Sequence, residues 1–319
     1  MKNEIIGIDV SKKTIDVWLH TARIHKCFCN GNRGFSSMLK WVQKHSGSAL
    51  EHLAFCFEHT GMYSYPLSHF LHQKQATFFL VSGLLVKRSL GLIRGKNDKD
   101  DAANLARFAY LHQDELHPYT MPSQEVLRLK ELQSFRSRFV KECAGYKAFI
   151  RERKAVLKFN DQDSLISMSK EMVKTLEDKI KTIENEMISL YKNTQELNKT
   201  FQNITSIKGV GLVLATAMIA ATNNFQSFST WRQFACYAGI APFQHQSGTS
   251  YRGKTRISKL GNRQLKTLLS QSAATSIQHN AELRLYYQKR VAEGKNRMST
   301  LNVIRNKIVS RIFAVAKRQ

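Results

Sequence analysis

The spacing of apolar residues divides the chain into segments of different character. Near the start, short apolar runs predict five strands: "EIIGIDV", "TIDVWLH", "IHKCFCN", "LAFCFE" and "ATFFLVS". Helical spacing appears in "GFSSMLKWVQKH", "YPLSHFLHQ" and "DKDDAANLARFAYLHQ". A meander of three strands followed by alternating helices and strands predicts an α/β domain of the RNase H type over residues 1–120.

A different pattern occupies residues 121–200. One stripe recurs every three or four residues, through Val173, Leu176, Ile180, Ile183, Met187 and Leu190. A second lies upstream, through Leu132, Phe135, Phe139, Tyr146 and Ile150. Together they predict two long helices that form an antiparallel hairpin or a coiled-coil arm. The stripes do not distinguish a pair within one chain from an oligomerisation arm.

Residues 201–319 form a third segment, which is mostly helical. A glycine-bounded turn in "IKGVGLVLATAMIA" leads into an apolar helix. Further helices are predicted at 229–237, 262–279, 281–293 and 300–317.

Charge suggests the partner. The chain carries a net charge of +25, and residues 201–319 hold 18 lysines and arginines against only two acids, Glu282 and Glu293. A field this positive favours a polyanion such as nucleic acid. Because no aspartate follows Asp178, a carboxylate metal site must come mainly from the N-terminal half.

Cysteine usage and hydropathy indicate the compartment. The five cysteines include no C-x-x-C pair, so we expect buried thiols in a reducing environment. We expect no signal peptide and no membrane span, and therefore a cytoplasmic protein.

Four carboxylates stand where a metal site is predicted. Asp9 and Glu58 end two of the strands, and Asp98 and Asp101 lie three apart on one helix face. Oxygen-only ligands select Mg²⁺ or Mn²⁺, which serve phosphoryl transfer. Singly, each acid also fits a structural role, as Asp98 fits a helix cap. Asp100 is a possible replacement ligand, but it lies off the face shared by Asp98 and Asp101 and is left out of the predicted site. Asp16 is expected at the surface.

The "GVG" turn is a candidate contact for DNA. Gly209 and Gly211 let the backbone approach a phosphate, which the following helix start complements, and Lys208 adds charge. The same glycines also suit a tight helix connection without a ligand.

The loop "HQSGTSYRGKTRISKLGN" is the second candidate site. Serine attacks phosphate when it is exposed and cations stabilise the charge that develops. Ser247 lies beside His245 and Gly248, but on chemistry alone such loops bind phosphate more often than they react with it. The cations assigned to nucleic-acid binding in and after this loop are Arg252, Lys254, Arg256, Lys259 and Arg263.

Several motifs change this balance. The chain resembles the transposases of the insertion sequence 110 family, related to the Piv/MooV DNA invertases. The resemblance spans nearly the whole chain and rests on "GIDVSK", "FEHTG", "KNDKDDA", "IKGVGLVLATAMIA", "FACYAGIAP", "QSGTS" and "ISKLGN". One departure is "KND" in place of the "KTD" of many members.

The resemblance implies a RuvC-like domain and a transposase domain. A DEDD set would map onto Asp9, Glu58, Asp98 and Asp101, and a reactive serine before glycine would map onto Ser247. Ser250 remains a competing nucleophile.

The implied activity is DNA recombination. Members of the family are similar to site-specific recombinases that join a circular element to a target, and several are guided by a noncoding bridge RNA. The expected partners are therefore donor and target DNA, a bridge RNA and further copies of the chain, as a dimer or tetramer at the bacterial nucleoid. A Holliday-junction resolvase that uses water, and a non-catalytic RNA-binding protein, remain alternatives.

Overall fold

A computed structural model describes residues 4–89, 91, 97–156, 163–247, 251–316 and 318. The chain divides into two compact units, one up to Met121 and one from Pro122 onward. The first unit contains β1 (Glu4–Val10), β2 (Thr14–Leu19), β3 (Ile24–Cys29), α1 (Asn32–Ser46), β4 (Leu53–Glu58), α2 (Tyr65–Gln73), β5 (Thr77–Val81), α3 (Gly83–Ser89) and α4 (Asp98–Leu111).

The first unit is built on one mixed sheet of five strands, in the order β3-β2-β1-β4-β5. β1, β2 and β3 form an antiparallel meander, while β4 and β5 run parallel to β1. The prediction of a mixed α/β domain is confirmed, with all five strands within one residue of their predicted bounds. The short helix α3 was not predicted.

Each face of this sheet has its own core. Ile6 and Ile8 of β1 lie on the face that packs with α1 and α2, through side chains such as Phe35 and Leu71. Residues of the opposite face, including Cys56 of β4, pack with Leu105 and other apolar side chains of α4. Successive residues of a strand alternate between faces, so the near-continuous apolar runs reflect burial on both sides.

The second unit is mainly helical and includes one two-stranded sheet. Its elements are α5 (Gln124–Val156), α6 (Ser164–Asn193), α7 (Gln195–Thr205), α8 (Leu212–Thr222), α9 (Trp231–Tyr237), β6 (Pro242–Ser247), β7 (Tyr251–Ile257), α10 (Arg263–His279), α11 (Ala281–Ala292) and α12 (Arg297–Ala316).

Helices α5 and α6 form a long antiparallel pair. Two ion pairs show the antiparallel direction. Arg128, near the start of α5, pairs with Glu186 late in α6, whereas Lys147, further along α5, pairs with the earlier Glu177. Only part of the predicted α5 stripe is buried: Leu132 lies in the core, whereas Phe135 is exposed. The base of the pair shares one apolar core with α7–α12, which includes Leu132 and Met187.

The serine segment is a β-hairpin, not the loop expected from its glycines. β6 pairs antiparallel with β7, and a register irregularity lies between Phe243 and His245. The cysteine expectation also needs correction, because Cys27, Cys29 and Cys236 are exposed. Within the described residues, no helix has the length and apolar character needed to cross a membrane.

Candidate active site and nucleic-acid interface

Close packing of α4 against β1 positions two of the four predicted carboxylates. Gly7 permits this approach, because a Cβ atom on Gly7 would lie 2.0 Å from the carbonyl oxygen of Ala102 and 2.4 Å from the nitrogen of Ala106. A side chain at this position would force the helix away from the sheet. The close approach places the first turn of α4, with Asp98 and Asp101, near the end of β1.

Asp9 and Glu58 come from neighbouring strands. Ile8 pairs with Phe57 in the parallel register, so Asp9 and Glu58 follow one residue later on adjacent strands. Both side chains are partly buried. The Glu58 carboxylate lies against the start of α3, where a Cβ atom on Gly83 would be 2.4 Å from Oε2. Gly83 therefore leaves the space that Glu58 occupies.

Asn97 caps the helix that carries the other two acids. Its side-chain oxygen accepts a hydrogen bond from the Asp100 amide, at 2.7 Å, and its Nδ2 donates to Asp100 Oδ2, at 2.8 Å. Asp98 is thus the first residue of α4 rather than its cap. Asn and Thr both cap helices, so the "KND" departure keeps this function.

The carboxylates act on one another electrostatically. Burial, followed by the charges of Asp101, Asp98, Glu58 and Asp16, raises the pKa of Asp9 from 3.8 to about 6. Such mutual repulsion is what a divalent cation relieves, and the all-oxygen donor set fits Mg²⁺ or Mn²⁺. Among the residues that the structure describes, however, no group of three or more potential ligands is arranged to hold a metal ion. Binding one would require the side chains to converge.

Asp16 corrects the sequence interpretation. It is only 8% exposed, not a surface residue, and its Oδ1 lies 2.7 Å from Nε2 of His25. It pairs directly with Asp9 across β1 and β2. Cross-strand partners share a face of the sheet, which makes Asp16 a fifth carboxylate at this site. The signal was present in β2, where Ile15, Val17 and Leu19 occupy the other face.

The turn before α8 shows why its two glycines differ. Gly209 has φ +94°, and a Cβ atom there would lie 2.1 Å from the Ser276 hydroxyl. That hydroxyl donates to the carbonyl of Lys208, at 2.8 Å. Gly211 is the N-cap of α8, has an extended backbone and leaves open space around its Cβ position. Gly209 is therefore required for packing, whereas Gly211 leaves the helix start accessible.

Ser247 lies at the tip of the hairpin. It is the last residue of β6 and pairs with Tyr251, the first residue of β7. Arg252, Lys254 and Arg256 occupy alternate positions of β7. The side chains of His245, Ser247, Arg252 and Lys254, and the whole of Gly248 and Ser250, lie outside the described part.

The hairpin is anchored at both ends by a contact between two glycines. Gly239 precedes β6 and has φ +68°. A Cβ atom on Gly261 would lie 2.1 Å from the Cα atom of Gly239. The amide of Asn262 donates to the carbonyl of Tyr237, at 2.9 Å. The motifs "FACYAGIAP" and "ISKLGN" thus meet at the base of the hairpin.

The remaining predicted cations are at the surface of the second unit. Lys208, Arg256, Lys259 and Arg263 are all exposed. Arg263 begins α10, directly after the Asn262 cap, and Lys259 follows β7. These positions suit contact with a phosphate backbone.

Two family profiles match the chain in separate regions. Residues 6–158 match the profile DEDD_Tnp_IS110, described as "Transposase". Residues 201–288 match a profile described as "Transposase IS116/IS110/IS902 family". The first region contains all four predicted carboxylates, and the second contains the "GVG" turn and the serine hairpin.

Similar proteins come from several bacteria. The "Pilin gene-inverting protein" of Moraxella bovis is 26% identical over all of this chain and 97% of its own length. The "Insertion element IS110 uncharacterized 43.6 kDa protein" of Streptomyces coelicolor is 33% identical over 36% of this chain and 28% of its own. The "Transposase for insertion sequence element IS1111A" of Coxiella burnetii is 29% identical over 40% of this chain and 36% of its own.

These matches define the class of protein. The chain is a transposase, an enzyme that cleaves and rejoins DNA. More narrowly, both profile matches and these relatives make the chain similar to insertion-sequence transposases of the IS110 type.

Proposed function

We propose that this transposase recombines DNA through two separate groups of residues, a carboxylate site and a serine nucleophile. The proposal rests mainly on the concentration of acids around Asp9, which raises the pKa of that residue to about 6. Such a cluster is unfavourable by itself and is typical of sites that bind divalent cations. In this proposal the first unit is an RNase H-like or RuvC-like catalytic domain.

Asp9, Glu58, Asp98 and Asp101 would hold Mg²⁺ or Mn²⁺. When bound, the metal neutralises the charge that develops on the scissile phosphate. The protein contributes the placement of the ligands: Gly7 brings α4 to the sheet, Gly83 accommodates Glu58, and Asn97 holds the first turn of α4.

The Ser247 hydroxyl is the proposed nucleophile. Its oxygen would bond to the phosphorus while the bond to the departing DNA oxygen breaks, and the hydroxyl proton ends on that oxygen. The product is a phosphoserine link, which conserves one phosphodiester for rejoining. The position of Ser247 at the end of β6 supports the proposal, because β6 pairs with the strand that carries these three cations: Arg252, Lys254 and Arg256.

The cations near the hairpin would bind the DNA backbone. Arg252, Lys254 and Arg256 would stabilise the phosphate under attack, as fixed positive charges do for a developing oxyanion. Contacts outside the reacting centre are assigned to Lys208, Gly209, Gly211, Lys259 and Arg263.

A bridge RNA and further protomers complete the proposal. The net charge of +25 supports binding of more than one nucleic acid. Exposed apolar side chains on the helical pair, including Phe135, Val140 and Met168, support an oligomerisation arm. Since the acids and Ser247 belong to different units, a composite site between protomers is part of this proposal.

The test is a covalent-adduct assay on denaturing gels. Wild-type, Ser247→Ala and Ser250→Ala proteins are incubated with Mg²⁺, donor and target DNA and any RNA that co-purifies. We expect a protein–DNA adduct with wild type and Ser250→Ala, and none with Ser247→Ala. An adduct that persists in Ser247→Ala and disappears in Ser250→Ala would assign the nucleophile to Ser250.

A second candidate function uses the carboxylate site alone. Because the acid cluster stands on a sheet with its own two cores, cleavage by water needs nothing from the serine hairpin. A Holliday-junction resolvase of this kind would nick DNA equally well with Ser247→Ala and would form no adduct.

A further inference from the structure

A cleft with apolar and polar lining lies within the second unit, apart from the serine hairpin. It has a volume of about 700 Å³ and is bounded by α5, by α10 and by the turn that starts α8. This volume is in the range that suits one small ligand or one nucleotide.

One wall is a polar stripe of α5. Gln133, Ser137 and Lys141 are spaced four residues apart and therefore lie on one face of the helix. Gln133 is deeply buried, whereas Lys141 is exposed at the rim. Arg136 also borders the cleft, and its Nε donates to Glu184, at 2.7 Å. The wall thus changes from a buried amide to cations at the opening.

The facing wall is a matching polar stripe of α10. Gln264, Gln271 and Thr275 lie seven and four residues apart and border the cleft. The Gln264 amide donates to the Ser137 hydroxyl, at 2.5 Å, and so bridges the two walls. Amide and hydroxyl side chains of both helices therefore border the same cleft.

Two of these polar groups are buried without a partner. Gln133 is 6% exposed, and neither its side-chain nitrogen nor its oxygen has a hydrogen-bond partner within the described residues. Ser272 is 4% exposed, and its hydroxyl is likewise unpartnered there. Buried polar groups are nearly always hydrogen-bonded, so a pair of exceptions in one cleft indicates a ligand that supplies the partners.

The floor of the cleft favours an anion. Gly211 caps α8, and the first amides of this 11-residue helix have no partner inside it. The helix start carries partial positive charge. Among the described residues that line the cleft, Lys141 is a cation, Arg136 is already paired with Glu184, and none is an acid. A ligand with an anionic group and a neutral polar edge matches both parts.

We propose that this cleft binds one unpaired nucleotide of a nucleic-acid strand. The phosphate would lie at the start of α8, while Gln133 and Ser272 would hydrogen-bond the polar edge of the base or sugar. Glutamine suits either group, because it offers both a donor and an acceptor. The inference rests on the proposed function only in so far as both require nucleic acid to reach the second unit.

An unpaired nucleotide fits better than a duplex. Gln133 is buried below the rim, and a paired base has its Watson–Crick edge already occupied. A duplex would contact only the rim with its phosphates. No aromatic side chain lines the cleft within the described part of the chain, so recognition would depend on hydrogen bonds rather than on stacking.

The test compares Gln133→Leu with a matched change outside the cleft, Gln288→Leu on the exposed face of α11. Binding of labelled 12-nucleotide single strands of DNA and RNA, and of a duplex of equal charge, is followed by fluorescence anisotropy in moderate salt. We expect Gln133→Leu to weaken single-strand binding by about fivefold to tenfold, the effect of one or two hydrogen bonds. Duplex binding should change less than about twofold, and Gln288→Leu should change neither.

A second readout separates binding from folding. Replacing an unpartnered buried amide by an apolar side chain of similar size is expected to raise the melting temperature of the ligand-free protein. Higher thermal stability together with weaker single-strand binding supports the nucleotide site. A greater loss for RNA assigns Gln133 to the ribose hydroxyl, and an equal loss assigns it to the base.

Two results would overturn the inference. One is single-strand binding by Gln133→Leu that equals wild type. The other is a lower melting temperature with equal losses for single strands and duplex, which would make Gln133 a structural residue. Failure of the proposed function is a separate result, namely the absence of a Ser247-dependent adduct while oligonucleotide binding persists.

Discussion

Gly7 of β1 lies directly against the backbone of Ala102 on α4, so that a Cβ atom at Gly7 would be 2.0 Å from the Ala102 carbonyl oxygen. This contact sets the distance between the sheet and the helix that carries Asp98 and Asp101. The proposed metal site therefore depends on a glycine that contributes no ligand.

Gly7→Ala should separate α4 from the sheet. We expect the free energy of unfolding to fall by about 2 kcal/mol, as overpacking usually costs, and metal-dependent DNA cleavage to be lost. The matched control is Gly31→Ala, where a Cβ atom meets nothing within 4 Å. Denaturant titration and a nicking assay measure the two effects, and a fully active Gly7→Ala would contradict the role of the contact.

Asp9→Asn should stabilise the metal-free protein at neutral pH. The folded-state pKa of Asp9 is raised to about 6, first by burial and then by the charges of Asp101, Asp98, Glu58 and Asp16. The folded protein therefore holds this proton more tightly than the unfolded chain, and stability falls as the pH rises from about 4 through 6. Asparagine removes that loss.

The free energy of unfolding of Asp9→Asn should equal that of the wild type at about pH 4. Above about pH 7 it should exceed the wild-type value by about 1 kcal/mol, after allowance for solvent screening of this partly exposed group. Thermal melts in a chelator measure it. Added Mg²⁺ should stabilise the wild type and not the variant. A variant less stable than wild type at pH 7.5 would show that the Asp9 charge is favourable in the fold.

Asn97→Ala should loosen the first turn of α4. Loss of the cap costs about 1 kcal/mol and removes the hydrogen bonds that Asn97 exchanges with Asp100. Asn97→Thr should retain most of the stability, because threonine also caps helices. Hydrogen exchange of the α4 amides tests the capping, and similar protection in the Ala and Thr variants would argue against it.

The two glycines of the "GVG" turn should respond differently to alanine. In Gly209→Ala the new Cβ atom would clash with the Ser276 hydroxyl, and the alanine would have to adopt a positive φ. We therefore expect the free energy of unfolding to fall by about 3 kcal/mol. Gly211→Ala meets nothing within 4 Å in the protein and should cost less than about 1 kcal/mol. It should nevertheless weaken nucleic-acid binding several-fold, because its methyl group covers the amides of the helix start. Unchanged binding by Gly211→Ala would favour a purely structural turn.

The serine hairpin illustrates a limit of sequence patterns. Tyr251, Gly253, Thr255 and Ile257 alternate with cations, which is the period of a strand. The glycines and the short length of each strand concealed that period. At the base of the hairpin, Gly239 lies against Gly261, which is 22 positions away in the chain. A local pattern does not report such a contact.

The acidic residues of the first unit also show which features a local pattern predicts and which it does not. Alternation and apolar runs determined the five strands and the helix α4, and so identified Asp9, Glu58, Asp98 and Asp101 as residues at element ends. The burial of Asp16 was not visible in this pattern, because Ile15, Val17 and Leu19 already give β2 one apolar face.

The sequence by itself thus determined the five strands of the first unit, most of the helices and the chemistry of the residues at their ends, because periodicity and side-chain type are local properties. Tertiary structure alone decided which acids influence Asp9, how close α4 lies to the sheet, and that Gln133 and Ser272 are buried beside one cleft. Those relationships depend on backbone approach and on shared burial between distant segments, and both arise only when the chain is packed.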